Sequence, residues 1–186
     1  MRPLMMVRKV CVCAIYTIET VLTPYHKVYL WKRAQILVAE TWAAFYPPSP
    51  TMPHPIFPGE RGPMIQELTM FADYRVPQIL HHLRILSYPD SLIGKLQSGV
   101  YLPSGSEDEL SLRTASIVSV ERVRKEILKM VRAEAGSDVR EDSVSSVLID
   151  FYLWDLAKRV EGGVDAIQGI ETAAIVPIHR TRSIWY

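Results

Sequence analysis

A chain of 186 residues is the size of one ordinary domain, and at 48% hydrophobic and 22% charged it has the composition of a globular protein. A formal net charge of +1 argues against a surface built to wrap a nucleic-acid backbone. Cys11 and Cys13 are the only cysteines, too few and too close for a secreted disulfide framework or a four-ligand zinc site, so a reducing cytosolic compartment is expected.

The first 22 residues combine a basic start with a short apolar run broken by Thr17, Glu19 and Thr20. The uncharged run from Val10 to Ile18 is too short to span a membrane, and no small-residue cleavage site follows it. A β-strand or a poorly ordered arm is expected there. From Val28 to Trp42 there is neither Gly nor Pro, and the stretch predicts a helix. Ala34, Leu37, Val38, Thr41, Trp42 and Phe45 recur at helical spacing as its expected buried stripe. A core Trp42 would make Trp42→Ala cost ~3–5 kcal/mol. Lys32 and Gln35 lie one turn apart, and the plain reading of Lys32 is a solvated surface lysine.

Seven of the thirteen prolines fall between Pro47 and Pro63, so this segment is expected to be a polyproline-like loop over the surface. His54 in it, and His26 before it, have no partners at metal-ligand spacing and read as surface residues.

The stretch from Leu68 to Gln78 reads LTMFADYRVPQ. It sets a carboxylate, Asp73, among Phe71, Tyr74 and Val76, which is unfavourable in a buried place unless something pairs with the charge. Two readings stand side by side. Pro77 suits the first turn of a helix, and Asp73 could accept that turn's N–H groups as its N-cap. Alternatively, Asp73 is a reactive carboxylate in an aromatic pocket, with Arg75 nearby. Ile79, Leu80, Leu83 and Leu86 continue the helical stripe, and the adjacent His81 and His82 point about 100° apart and cannot chelate one metal.

A shorter helix is predicted over Tyr88–Leu96, with Asp90 as N-cap, and a turn at Gly99–Gly105. Glu107 to Ala135 is the longest periodic segment, with Val120, Val123, Ile127, Met130 and Val131 on its apolar stripe. Arg113 and Glu121 are the polar residues able to turn inward. The plain expectations are a surface Arg113 and a Glu121–Lys125 pair at i+4. The last helix is predicted over Ser143–Val160, with Val147, Leu148, Phe151, Leu156 and Val160 on its apolar side. Asp150, Tyr152, Trp154 and Asp155 interrupt it with polar tips among rings. The bland reading is a helix-dipole partner for Asp150 and a solvent contact for Asp155. Ile175–Tyr186 is basic and aromatic, either an extended tail docked on the core or a loose end.

Residue patterning alone thus reaches a mostly helical domain with a candidate carboxylate pocket, and no Gly-rich phosphate loop or Ser-His-Asp order. The blocks YLWKRAQILVAETW (Tyr29–Trp42), LTMFADYRVPQIL (Leu68–Leu80), LIDFYLWDLAK (Leu148–Lys158) and IHRTRSIWY (Ile178–Tyr186) together resemble the queuosine salvage protein family, in its order and at compatible spacing. The resemblance implies a largely α-helical fold similar to helical DNA glycosylases, with a Pro-rich loop and an extended C-terminal tail. It implies hydrolysis of the N-glycosidic bond of queuosine 5′-phosphate to free queuine, with no metal or other cofactor. Asp73 falls on the family's catalytic aspartate and Lys32 on its active-site lysine. Phe71 matches an aromatic beside the base, and Asp150 and Asp155 match acidic positions facing the base or its amine-bearing arm. Tyr152 and Trp154 are expected to stack on the base. Arg75, Lys32 and the basic C-terminal block are candidates for the 5′-phosphate or for holding carboxylates in place.

Members of that family are considerably longer. Residues 1–27 are expected to lie outside the resemblance, and 28–186 to be its C-terminal part. The expected partner is a small molecule, with no stable nucleic-acid complex, no membrane and a monomeric cytoplasmic protein. The alternative function class is a catalytically inactive helical binding or scaffold remnant of the family.

Overall fold

The computed structural model describes residues 30–49, 52–57, 65–135, 139, 143–163 and 170–183. The expected N-terminal strand or arm, Cys11, Cys13 and His26 lie outside them. Among the described residues the chain is mostly α, as the patterning predicts: α1 (Lys32–Ala44), α2 (Arg75–His82), α3 (Asp90–Gln97), α4 (Glu107–Ala135) and α5 (Ser146–Glu161), with a 3₁₀ turn at Ile65–Glu67 before α2. None of these helices is long and apolar enough to cross a membrane.

The helix ends follow from local chemistry. Ser145 caps α5 by accepting the Leu148 N–H at 3.2 Å. Three acidic residues, Glu107, Asp108 and Glu109, open α4, where the helix dipole favours negative charge. Asp90 does not cap α3 with its side chain; it is the helix's first residue, after Pro89. Arg84, at φ 58°, ends the run of α2 by turning left-handed after the Leu83 cap.

α2 lies against α4 and α5, which also touch each other. Their shared core holds Val76, Ile79, Leu80, Ile117, Val120, Ile149, Leu153, Leu156 and Ala157. A second cluster, Ala39, Ile65, Leu68, Phe71 and Val147, joins α1 and the 3₁₀ turn to α5. A third joins α3 to the start of α4 and to Val176 of the tail. That tail is docked: Gln78 Nε2 donates to the Val176 carbonyl at 2.9 Å, Ala173 N–H to the His82 carbonyl at 2.8 Å, and Leu102 N–H to the Arg180 carbonyl at 2.8 Å.

Several expected faces are turned. On α1 the buried residues are Gln35 and Ala39, while Leu37 and Phe45 are exposed. Small Ala39 permits close packing, and Gln35 Oε1 accepts both the N–H and the hydroxyl of Thr69, so contact goes to these residues and not to the bulkier stripe. Leu148 of α5 and Met130 of α4 are likewise exposed. His54 is buried, not at the surface. Its Nδ1 accepts the N–H groups of Ile56 and Phe57, so Nε2 carries the proton and donates to the Trp42 carbonyl at 3.0 Å. Glu121 pairs with Arg124 at 2.8 Å rather than with Lys125.

Trp42 only flanks the second cluster, with Tyr46 edge-on to its ring at 5.2 Å. Trp42→Ala is therefore expected to cost about 2 kcal/mol, less than full burial implies, while Ile79→Ala in the shared core costs about 3–4 kcal/mol. Paired denaturant melts check this order; a larger loss at Trp42 than at Ile79 would contradict it.

Candidate active site

The segment 68–74 climbs from the 3₁₀ turn into α2 with its side chains alternately buried in two clusters. Its backbone turns at Ala72, whose φ of 49° is left-handed and strained for a residue with a Cβ by about 1–3 kcal/mol. The turn separates two carboxylate connections. Before it, the Phe71 N–H donates to Asp150 Oδ2 at 2.9 Å. After it, Asp73 Oδ1 accepts the Arg75 and Val76 N–H groups, each at 2.9 Å. Asp73 is thus the cap of α2, and this capping uses one carboxylate oxygen. The other accepts no hydrogen bond from the described residues. Capping and chemistry are compatible in one side chain, since the helix N-terminus both fixes the group and favours its charge.

Lys32 opens α1 behind Trp31, which is itself left-handed at φ 47°. Its ammonium lies 5.7 Å from the centroid of the Tyr74 ring. Burial lowers the Lys32 pKa, Asp73 and Asp150 oppose this, and Arg113 reinforces it. Burial pushes the Asp150 carboxyl up to about 7; the Asp73 charge adds to the shift, while the Phe71 N–H and Lys32 resist it. His179, on the docked tail, is buried and pushed down to about 4, by burial first and then by the Arg113 and Lys32 cations. Lys32, Asp73, Arg113, Asp150 and His179 therefore form one electrostatically connected group drawn from α1, the 68–74 segment, α4, α5 and the tail.

Among the residues expected from sequence, Lys32, Asp73, Asp150 and the Phe71 backbone come together. The Phe71 ring itself is buried in the second cluster, 5.8 Å from that of Phe151. Arg75 points along the outer side, paired with Glu161, and its guanidinium lies 5.6 Å from the Trp154 ring, whose face also carries the Lys158 ammonium at 3.5 Å. Tyr152 and Asp155 are exposed on α5, away from the inward Asp150. Trp185 and Tyr186 lie outside the described residues.

Arg113 is buried, against the plain expectation of a surface group. Its Nε donates to the Ala72 carbonyl at 2.9 Å, and its Nη1 to Glu109 Oε1 at 2.8 Å. Sequence reading missed Glu109 altogether. The signal was present: Glu109, Leu112, Arg113, Ser116 and Val120 recur at helical spacing, so the α4 stripe extended toward its N-terminus includes both charges.

Comparison with known proteins bears on the whole of this region. A family model described as queuosine salvage protein matches residues 15–186. The chain is 39% identical to a queuosine 5′-phosphate N-glycosylase/hydrolase of Nematostella vectensis, over 86% of this chain and 42% of that protein. It is 36% identical to the protein of the same name from Mus musculus, over 86% of this chain and 41% of the relative. A relative of that name from the bacterium Sphaerobacter thermophilus is 33% identical, over 86% and 40% respectively. The chain thus spans about two fifths of the length of the curated relatives it matches.

Proposed function

Because the chain belongs to the queuosine salvage protein family, we propose that it hydrolyses the N-glycosidic bond of queuosine 5′-phosphate, releasing queuine and ribose 5-phosphate. The observation that carries this reading is the state of Asp73: one oxygen fixed by two N–H groups at a helix start, the other accepting none from the described residues, with Lys32 and Asp150 beside it.

Loss of the base leaves positive charge spreading over the ribose ring and C1′. A carboxylate immobilised before the reaction stabilises that charge without reorganising, and it can take a proton from the incoming water. The water adds its oxygen to C1′ as the C–N bond breaks, and the departing base takes up a proton. Asp150, with a carboxyl pushed up to about 7, holds a proton over part of the neutral range and can donate a hydrogen bond to the base. Lys32 and Arg75 are the proposed contacts for the phosphate, by charge-assisted hydrogen bonds. Phe71 serves the site through its backbone, its ring lying in the second cluster. Tyr152 and Asp155 face away from Asp150, and the Trp154 face is covered by Arg75 and Lys158, so none of these three is given a contact with the base.

The test is direct. The purified chain, incubated with queuosine 5′-phosphate, is expected to release queuine and ribose 5-phosphate in equal amounts. A folded chain that releases neither would remove the proposal. The same reading has the protein working in the cytoplasm as a monomer on a free nucleotide. With a formal charge of +1, it is expected to form no appreciable complex with intact tRNA at physiological salt. A sub-micromolar tRNA complex in a gel-shift or anisotropy titration would contradict the free-nucleotide assignment.

A further inference from the structure

Arg113 bears on the candidate site by its charge, felt at Lys32 and His179, and by a hydrogen bond to its backbone. Its fork joins two groups: Nε holds the Ala72 carbonyl at 2.9 Å, and Nη1 holds Glu109 Oε1 at 2.8 Å. The second Glu109 oxygen accepts the Gly105 N–H at 3.1 Å, so the carboxylate is itself tied down. Arg113 and Glu109 are both buried.

The residue gripped by this pair is Ala72, the one residue of the 68–74 segment with a left-handed backbone. A strained conformation of this kind persists only where the surroundings over-determine it. The residues on either side of Ala72 carry the two carboxylate connections, Phe71 N–H to Asp150 before it and the Asp73 side chain to the start of α2 after it. Relaxation of Ala72 to an ordinary φ would swing both.

We propose that Arg113, anchored by Glu109, is a positioning residue that locks the left-handed Ala72 turn and so sets the direction of the Asp73 carboxylate relative to Asp150. This rests on Asp73 being the reacting carboxylate. Arg113 touches no reacting atom in this scheme; it acts through the Ala72 carbonyl.

Arg113→Lys keeps the charge and can still meet Glu109, but lacks the planar fork needed to hold Ala72 at the same time. Amide hydrogen exchange reads the lock without reference to turnover. The expected result is exchange faster by ~10-fold or more at Phe71, Arg75 and Val76, with the middle of α4 and the buried half of α5 unchanged. In the hydrolysis assay kcat is expected to fall ~10- to 100-fold with KM within about threefold, the pattern of a displaced catalytic group.

Exchange that is unchanged at those three amides, or raised equally throughout α2, α4 and α5, overturns the proposal and leaves Arg113 as a core ion pair only. A locally loosened variant with parental kcat overturns the catalytic half. If the lysine variant does not fold, Glu109→Gln leaves Arg113 a neutral acceptor and is expected to give the same local pattern at about two- to fivefold; a uniform rise, or none, overturns the lock. A parent chain without turnover removes the functional reading, whereas the exchange pattern decides the positioning role separately.

Discussion

Asp150→Asn and His179→Gln are expected to tilt the dependence of stability on pH in opposite directions. Asp150 carries a folded-state pKa raised by burial, with Asp73 adding, from 3.8 to about 7. The folded chain thus holds this proton more tightly than the unfolded chain does. The resulting stabilisation is fully present below about pH 3.8 and is lost as the pH rises through about 7. A shift of this size corresponds to something on the order of 4 kcal/mol. His179 runs the other way. Burial, then Arg113 and Lys32, depress its pKa from 6.5 to about 4, so its contribution is present above about pH 6.5 and lost as the pH falls through about 4. That contribution is on the order of 3 kcal/mol.

Between pH 4 and 6.5 the two contributions oppose each other, and their sum in the parent is shallow. Asparagine at 150 can still accept the Phe71 N–H, so it removes the titration and keeps the bond. Relative to the parent, Asp150→Asn should therefore gain stability as the pH rises from 4 to 7, and His179→Gln should lose it over much the same range. Denaturant melts at four pH values between 4 and 7 measure both. Curves parallel to the parent for both variants would show that these groups do not titrate as buried members of one site.

How far the sequence could be read depended on what each residue uses to hold its place. The long helix was legible to its ends: the periodic segment runs from Glu107 to Ala135, before Gly136 and Ser137, and α4 has those bounds. Asp73 was legible as either cap or reactive group, and the geometry shows why the spacing could not choose: capping occupies only Oδ1. The face of α1 was misread because hydrophobicity ranks Leu37 and Phe45 above Gln35 and Ala39, whereas contact depends on small size and on the hydrogen bonds of Gln35 to Thr69. His54 was misread for a similar reason, since its partners are backbone groups of Trp42, Ile56 and Phe57 and leave no side-chain pattern. The docked tail is held the same way, through main-chain carbonyls of Val176 and Arg180. Arg113 and Glu109 were the recoverable loss, as a buried i,i+4 ion pair at the N-terminal end of a visible stripe.

The remaining large effect concerns Asp73 itself. Asparagine matches aspartate in size and is about as good an N-cap, so Asp73→Asn should still accept the Arg75 and Val76 N–H groups and keep α2 in place. Only the negative charge is lost. Asp73→Ala serves as the control for the cap, since it should lower stability by about 1 kcal/mol in addition to removing the charge. Substrate contacts elsewhere are untouched, so binding of queuosine 5′-phosphate should persist in the asparagine variant.

The decisive measurement is therefore queuine release by Asp73→Asn and by the parent chain, followed by chromatography, beside thermal melts of the same preparations. The expected result is an unchanged melt with turnover lower by roughly 10²-fold or more, the scale set by loss of one preorganised electrostatic stabiliser. An asparagine variant that melts like the parent and releases queuine at the parental rate would contradict the assignment of Asp73 as the reacting carboxylate.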